Sequence, residues 1–188
     1  MDRLEWWLPS GEQFHAMGDA RDDTPSPEGL EQIGHGTSFR EGLCDMLERI
    51  QLLRELNGQE IEALADFVQA YRARPGTILF QEGQRDPYMC LVVEGKLDVL
   101  KERGEHERRR LATVRAGKTV GEMSLIDELP HSATVVTTTD TTLLLLTRLG
   151  LERLAEAHPR LAFHITWKLA QLLSHRLRQT SGILVDYL

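Results

Sequence analysis

The segment Gly121-Glu122-Met123-Ser124-Leu125-Ile126-Asp127-Glu128-Leu129-Pro130-His131-Ser132-Ala133-Thr134-Val135 constrains this chain more than any other stretch. It gathers a carboxylate, small residues and a run of amide and hydroxyl donors. Aligned backbone N–H groups at a turn or nest hold an anion, and a carboxylate accepts from a sugar hydroxyl. Glu122 is the candidate acceptor. Gly121 removes a Cβ where the backbone must come close to another group. Met123, Ser124 and Leu125 would offer amides at the start of a short helix, while Ser132 and Ala133 add a hydroxyl and an amide with little bulk. Taken alone, a Gly-Glu pair would read as a strand–helix–strand corner, with Glu122 capping the turn and Leu125 and Ile126 in the core.

Two flanking stretches extend the pattern. Pro75-Gly76-Thr77-Ile78-Leu79-Phe80-Gln81-Glu82-Gly83 reads as a glycine, an apolar strand and a Glu-Gly turn. Tyr88-Met89-Cys90-Leu91-Val92-Val93-Glu94-Gly95-Lys96-Leu97-Asp98-Val99 reads as an apolar strand, a glycine turn and an alternating strand. In this order and spacing the three stretches resemble the cyclic-nucleotide-binding domains of the catabolite activator protein and of protein kinase A regulatory subunits, over roughly residues 44–180. The Gly121 segment is similar to that family's phosphate-binding cassette, Gly-Glu-x-small-Leu followed by Arg-small-Ala-Thr or Ser. The resemblance implies an α+β, mainly β fold: an antiparallel jelly-roll β-barrel with N-terminal helices and a C-terminal helix serving as lid or dimerisation element. It also implies binding of cAMP or a related cyclic nucleotide. The implied ligand-binding residues are Gly121, Glu122, Met123, Ser124, Leu125, His131, Ser132, Ala133 and Thr134, with Glu122 on the ribose hydroxyl and the amides on the phosphate.

One element of the cassette is missing. At the family's arginine position stands His131. Histidine lacks the bidentate fork of a guanidinium and, with an unperturbed pKa near ~6.5, is mostly neutral at pH 7. A nearby phosphate would favour the imidazolium, so binding that strengthens at lower pH is expected if His131 takes the arginine's role. Losing a charge-assisted hydrogen bond costs on the order of 1.5–3 kcal/mol, or roughly ten- to a hundredfold in affinity. Lys118 and Arg115 precede the cassette and are the other candidates for the missing charge. The alternative is a barrel that has kept its shape and lost its ligand, serving as a protein-interaction or dimerisation module.

Composition bounds the remaining classes. With 188 residues the chain accommodates one domain plus an extension. A net charge of −7 argues against a general nucleic-acid surface. Cys44 and Cys90 form no disulfide framework, which points to a reducing compartment. No run of apolar residues is long enough to cross a membrane and no leader pattern opens the chain, so a cytoplasmic location is expected.

Along the chain, residues 1–36 read as a flexible N-terminal extension rich in Gly, Asp and Pro, with Trp6-Trp7 as a short apolar cluster. The domain proper is expected over 37–188. Leu43, Met46, Leu47, Ile50 and Leu53 recur at helical spacing, and after a break at Asn57-Gly58 so do Ile61, Leu64, Ala65, Val68 and Tyr71. Residues 76–148 alternate in short strands. The run Lys101–Arg110 mixes both charges and reads as a solvated hairpin. Ala116-Gly117-Lys118-Thr119 is no phosphate loop, because Ala112 stands where its first glycine would be. C-terminal helices are expected over about 150–181, with Leu161, Ile165, Leu169, Leu172, Leu173 and Leu177 as an apolar stripe. Ser181-Gly182 would end the second helix, leaving a tail in which Tyr187 could stack on a base or seal a dimer.

Catalysis has little support in this pattern. Cupin-like metal sites need clustered His and carboxylate ligands, whereas His131 and His106 are isolated in the barrel region, so neither a metal nor a catalytic residue is assigned. The helix-turn-helix that follows the long helix in the family's transcription factors has no counterpart here. The sequence therefore reads as a stand-alone, non-enzymatic sensor. Its expected partners are a cyclic nucleotide, a second copy joined through the C-terminal helix and an unidentified protein effector, with no direct DNA or membrane contact.

Overall fold

A computed structural model describes residues 29–35, 39–103 and 107–185. The order is β1 (Leu30–His35), α1 (Arg40–Glu48), α2 (Gly58–Ala65), β2 (Gln69–Ala73), β3 (Ile78–Phe80), β4 (Tyr88–Glu94), β5 (Lys96–Glu102), β6 (Arg108–Arg115), β7 (Thr119–Val120), α3 (Glu122–Asp127), β8 (Thr134–Thr137), β9 (Thr141–Thr147), α4 (Arg148–Ala157) and α5 (Pro159–Val185). A 3₁₀ turn at Gln51–Leu53 joins α1 to α2.

The strands form two antiparallel sheets, one of five strands in the order β1-β2-β9-β4-β7 and one of four in the order β3-β8-β5-β6. The mainly β, antiparallel fold is as expected; a closed barrel is not, because the two sheets share no strand pairing among the described residues.

The apolar runs of β4 and β9 explain the layering. Both strands are buried on both faces, so their sequences lack the polar alternation of a half-exposed strand. Tyr88, Cys90 and Val92 of β4, with Leu143 and Leu145 of β9, point between the sheets onto Leu79, Phe80, Leu97 and Val135. Met89, Leu91 and Val93, with Leu144 and Leu146, point the other way onto helical residues Leu43, Leu47, Leu64, Leu154, Leu161, Ile165 and Leu169. Fully burying a Leu or Ile side chain contributes about 1.5–3 kcal/mol, so two apolar faces on one sheet secure both the sandwich and the helical layer.

Local signals set the helix limits. The first helix does not run to the expected break at Asn57-Gly58 but ends at Glu48. Asn57 instead starts α2, its side chain accepting from the Glu60 amide at 3.1 Å while Glu60 accepts from the Asn57 amide at 2.9 Å, a capping box. Thr147 caps α4 through the Gly150 amide at 3.0 Å, and Pro159 opens α5 at the position where a missing N–H costs nothing.

Three expectations are corrected. Residues 30–35, read as linker, form β1 against β2. The helical spacing through Val68 and Tyr71 continues α2 on paper, but α2 stops at Ala65 and Tyr71 pairs with Leu143 in β9. Pairing with an apolar neighbouring strand overrides a local periodicity. Ser181-Gly182 does not end α5, which continues through them to Val185. Trp6, Trp7, His106 and Tyr187 lie outside the described residues. The β6 strand is exposed along its length, and its arginines pair with β5 carboxylates, Arg110 with Asp98 at 3.3 Å and Arg108 with Glu102 at 3.5 Å, as the solvated-hairpin reading requires.

Candidate functional site

A cleft opens where β7 turns into α3. Phe80, Val99, Val120 and Val135 make its apolar wall, and Gly121, Glu122, Met123, Ser124, His131, Ser132, Ala133 and Arg176 complete the lining. The structure thus brings together seven of the nine expected residues. Leu125 and Thr134 stand behind the cleft. Leu125 is fully buried in the helical core and its amide bonds the Gly121 carbonyl at 3.3 Å. Thr134 Oγ1 accepts from the Glu82 amide at 3.0 Å, tying the β3 turn to the cassette.

Gly121 adopts φ +84° and caps α3. A Cβ there would meet the Tyr88 carbonyl oxygen at 2.7 Å and Phe80 at 3.2 Å. The close approach that demands glycine is therefore to the protein's own β4.

Glu122 opens α3, and only 1% of its surface is exposed. Its Oε1 is held by the Arg176 guanidinium, reaching over from α5, while Oε2 is buried with no hydrogen-bond partner among the described residues. A buried carboxylate oxygen left unpaired carries a desolvation penalty, which a ligand hydroxyl would remove. Arg176 also donates to the Thr119 carbonyl at 3.1 Å. Burial draws its pKa below the ordinary value, though a guanidinium keeps its charge in a protein.

His131, expected as a weak and mostly neutral replacement for the arginine, is buried. Its ring stacks on Phe80 with centroids 3.7 Å apart and meets Tyr88 edge-on at 5.6 Å. Nε2 lies 2.8 Å from the Asp86 carbonyl oxygen and Nδ1 lies 3.1 Å from Ser124 Oγ. A carbonyl only accepts, so Nε2 bears the proton and Nδ1 of the neutral ring accepts from the serine. Burial lowers the pKa, outweighing the opposing pull of Asp86. Both ring nitrogens are thus engaged and the charged form is disfavoured.

This has a measurable consequence for stability. The unfolded imidazole titrates near ~6.5, and the folded one below that. Above about pH 6.5 both states are neutral and the contribution is complete; as pH falls, the unfolded chain binds the proton first and stability drops until the folded pKa is passed, by at most ~1.4 kcal/mol per pH unit. Urea titrations from pH 8 to pH 5 should show a smaller acid loss for His131→Gln than for the wild type. Equal losses would mean that His131 is not held neutral.

The remaining cations stand apart. Arg115 and Lys118 are absent from the cleft lining. Lys101 pairs with Glu82 at 2.6 Å and donates to the Ser132 carbonyl at 2.8 Å. The residue that sequence reasoning missed is Arg176. A signal was present: position 176 follows Leu169, Leu172 and Leu173 by seven, four and three residues, placing an arginine on the apolar stripe of α5. Among the described residues no group of three His, Cys, Asp or Glu could hold a metal ion, and no helix is long and apolar enough to cross a membrane.

Comparison with known proteins agrees with this geometry. The model of the cyclic nucleotide-binding domain family matches residues 71–158. The chain is 32% identical over 120 residues to a cAMP-dependent protein kinase regulatory subunit of Yarrowia lipolytica, covering 63% of this chain and 31% of that one. It is 32% identical over 128 residues to the cyclic AMP receptor protein of Thermus thermophilus, covering 68% of this chain and 57% of that protein. The chain thus spans 31% and 57% of the length of these two curated relatives. A solved cyclic nucleotide-binding domain from Methylobacillus flagellatus superposes with a TM-score of 0.75 at 26% identity, covering 90% of this chain and 97% of that one. With the strand order, the α3 cassette and the buried Glu122 in place, residues 71–158 belong to the cyclic nucleotide-binding domain family.

Proposed function

We propose that the chain is a non-enzymatic regulatory domain that binds cAMP or a related cyclic nucleotide in the Glu122 cleft. The observation that carries this reading is the buried Glu122 carboxylate, which has one oxygen without a hydrogen-bond partner among the described residues and belongs to a residue lining the cleft between the two halves of the cassette. Glu122 takes the ribose hydroxyl. The backbone from Gly121 to Ser124 and that of Ser132 and Ala133 face the phosphate, with Leu125 and Thr134 anchoring the two halves. His131 shapes the pocket as a neutral ring, so the cassette loops themselves supply no cation. The loops alone would bind roughly ten- to a hundredfold more weakly than loops with a forked arginine.

Calorimetric titration of extensively dialysed protein with cAMP at pH 6 and pH 8 tests this. Saturable binding of equal strength at both values is expected, because both nitrogens of His131 are occupied. Binding that strengthens at pH 6 would show that the imidazole turns to the ligand as a cation. Absence of heat at millimolar cAMP would sink the reading.

A second reading, an interaction or dimerisation module, is favoured by the outer face of α5. Phe163, Trp167 and Leu177 are exposed there, with the Phe163 and Trp167 rings stacked 6.2 Å apart. Large apolar side chains at helical spacing suit a twin helix or a protein effector. Sedimentation would show a doubled mass for the homodimer, and the two readings are compatible.

A further inference from the structure

Arg176 brings a charge into the cleft from outside the cassette. Among the described residues that line the cleft it is the one lysine or arginine. The Arg position of the cassette is filled by a ring whose two nitrogens are bound to Asp86 and Ser124, and Lys101 is engaged by Glu82 and Ser132. An anion entering next to the Glu122 carboxylate meets repulsion unless a cation stands beside both. Arg176 stands there, with one nitrogen on Glu122 and another on the Thr119 carbonyl. A guanidinium carries five N–H donors in a planar fork, and these two contacts leave donors over. The side chain keeps 42% of its surface exposed while that of Glu122 keeps 2%, so of the pair it is Arg176 that remains accessible, and it does so as part of the cleft lining.

We propose that Arg176 is the phosphate-binding cation of this pocket, supplied by α5 in place of the arginine that the cassette lacks. The proposal rests on the cyclic-nucleotide reading above. Glu122 accepts the ribose hydroxyl on Oε2 while its Oε1 keeps Arg176 in place, and the remaining N–H groups of Arg176 donate to the phosphodiester. Because the donor belongs to α5, ligand binding and the seating of α5 become linked: each favours the other by the same free energy.

The test compares cAMP with adenosine, which shares base and ribose but has no phosphate, on the full chain. Wild type, Arg176→Ala, Arg176→Gln and Arg176→Lys are titrated with cAMP by calorimetry and with adenosine by NMR shift changes into the millimolar range. Melting curves identify the variants that fold. Arg176→Ala and Arg176→Gln should lower cAMP affinity roughly ten- to a hundredfold and leave adenosine affinity unchanged, with Arg176→Lys between. Unchanged cAMP affinity in a folded Ala or Gln variant overturns the assignment. So does an equal loss for both ligands, which would mean that Arg176 merely holds Glu122. If adenosine is too weak to register on the wild type, the Glu122→Gln/Arg176→Gln double variant decides: a cAMP loss beyond that of Glu122→Gln alone supports the assignment, and no further loss overturns it. A wild type that binds neither ligand defeats the cyclic-nucleotide reading and this proposal with it, whereas a wild type that binds cAMP no more tightly than the Arg176 variants defeats only the proposal.

Discussion

Glu122→Gln should lower cAMP affinity at least tenfold while leaving the melting temperature close to that of the wild type. The two halves of this expectation have different origins. A charge-assisted hydrogen bond to a ribose hydroxyl is worth on the order of 1.5–3 kcal/mol, which is roughly ten- to a hundredfold in affinity. On the stability side, the carboxylate is buried, and one of its oxygens has no partner among the described residues. Replacing a buried ionised group by a neutral isostere lifts the cost of holding that charge away from water. Arg176, which is more exposed, regains water when its partner's charge is lost. A site that is costly to the fold and required by the ligand has this signature. Parallel calorimetry and thermal melting check it. Unchanged affinity would remove Glu122 from the binding site, and a collapse in melting temperature would make the Glu122–Arg176 pair a structural one.

Gly121→Ala should cost stability before it costs binding. Left-handed backbone costs an L-residue roughly 1–2 kcal/mol, and Gly121 sits at φ +84°. Its added Cβ would also lie 2.7 Å from the Tyr88 carbonyl oxygen, a main-chain atom that β4 holds by pairing with β9, so relief requires α3 or β4 to move. Together these effects come to about 3 kcal/mol. For a chain of this size that is a fall in melting temperature of about 6–12 °C. A fall of less than ~2 °C would show that the corner relaxes freely. The substitution leaves Oε2 of Glu122 chemically intact, so a folded Gly121→Ala variant that loses binding does so through a displaced α3.

The cassette was legible because its chemistry is contiguous: Gly121 to Ser124 and His131 to Ala133 are close in sequence, and each half is recognised by residue type. What surrounds it was not. The neutrality of His131 depends on Phe80, Asp86 and Tyr88, which lie on another part of the chain and reach the ring only after the sheets have packed. Arg176 lies 54 residues beyond Glu122, and on an isolated helix an arginine within a leucine stripe reads as a surface residue. Tyr71 shows the same limit for the fold. Its spacing from Ile61, Leu64 and Val68 is helical, and it is the partner strands on either side, through Gln32 of β1 and Leu143 of β9, that decide that it is extended. Short-range chemistry was readable; side chains whose role is set by distant partners were not.

The strand order also dictates when this domain comes into being. β9 lies between β2 and β4, and β8 between β3 and β5, so the middle of each sheet is made after its flanks. While the chain is being synthesised, the sheet pairings open to it are β1–β2, β4–β7 and β5–β6; the rest wait for residues 134–147. Until then β2, β3 and β4 carry unpaired edges of the kind that invite association with other chains. Once Thr147 is free, the two central strands close both sheets together. A chain cut short before that point is therefore not a smaller sensor but a set of open edges, and the cleft is born only when the last strands arrive.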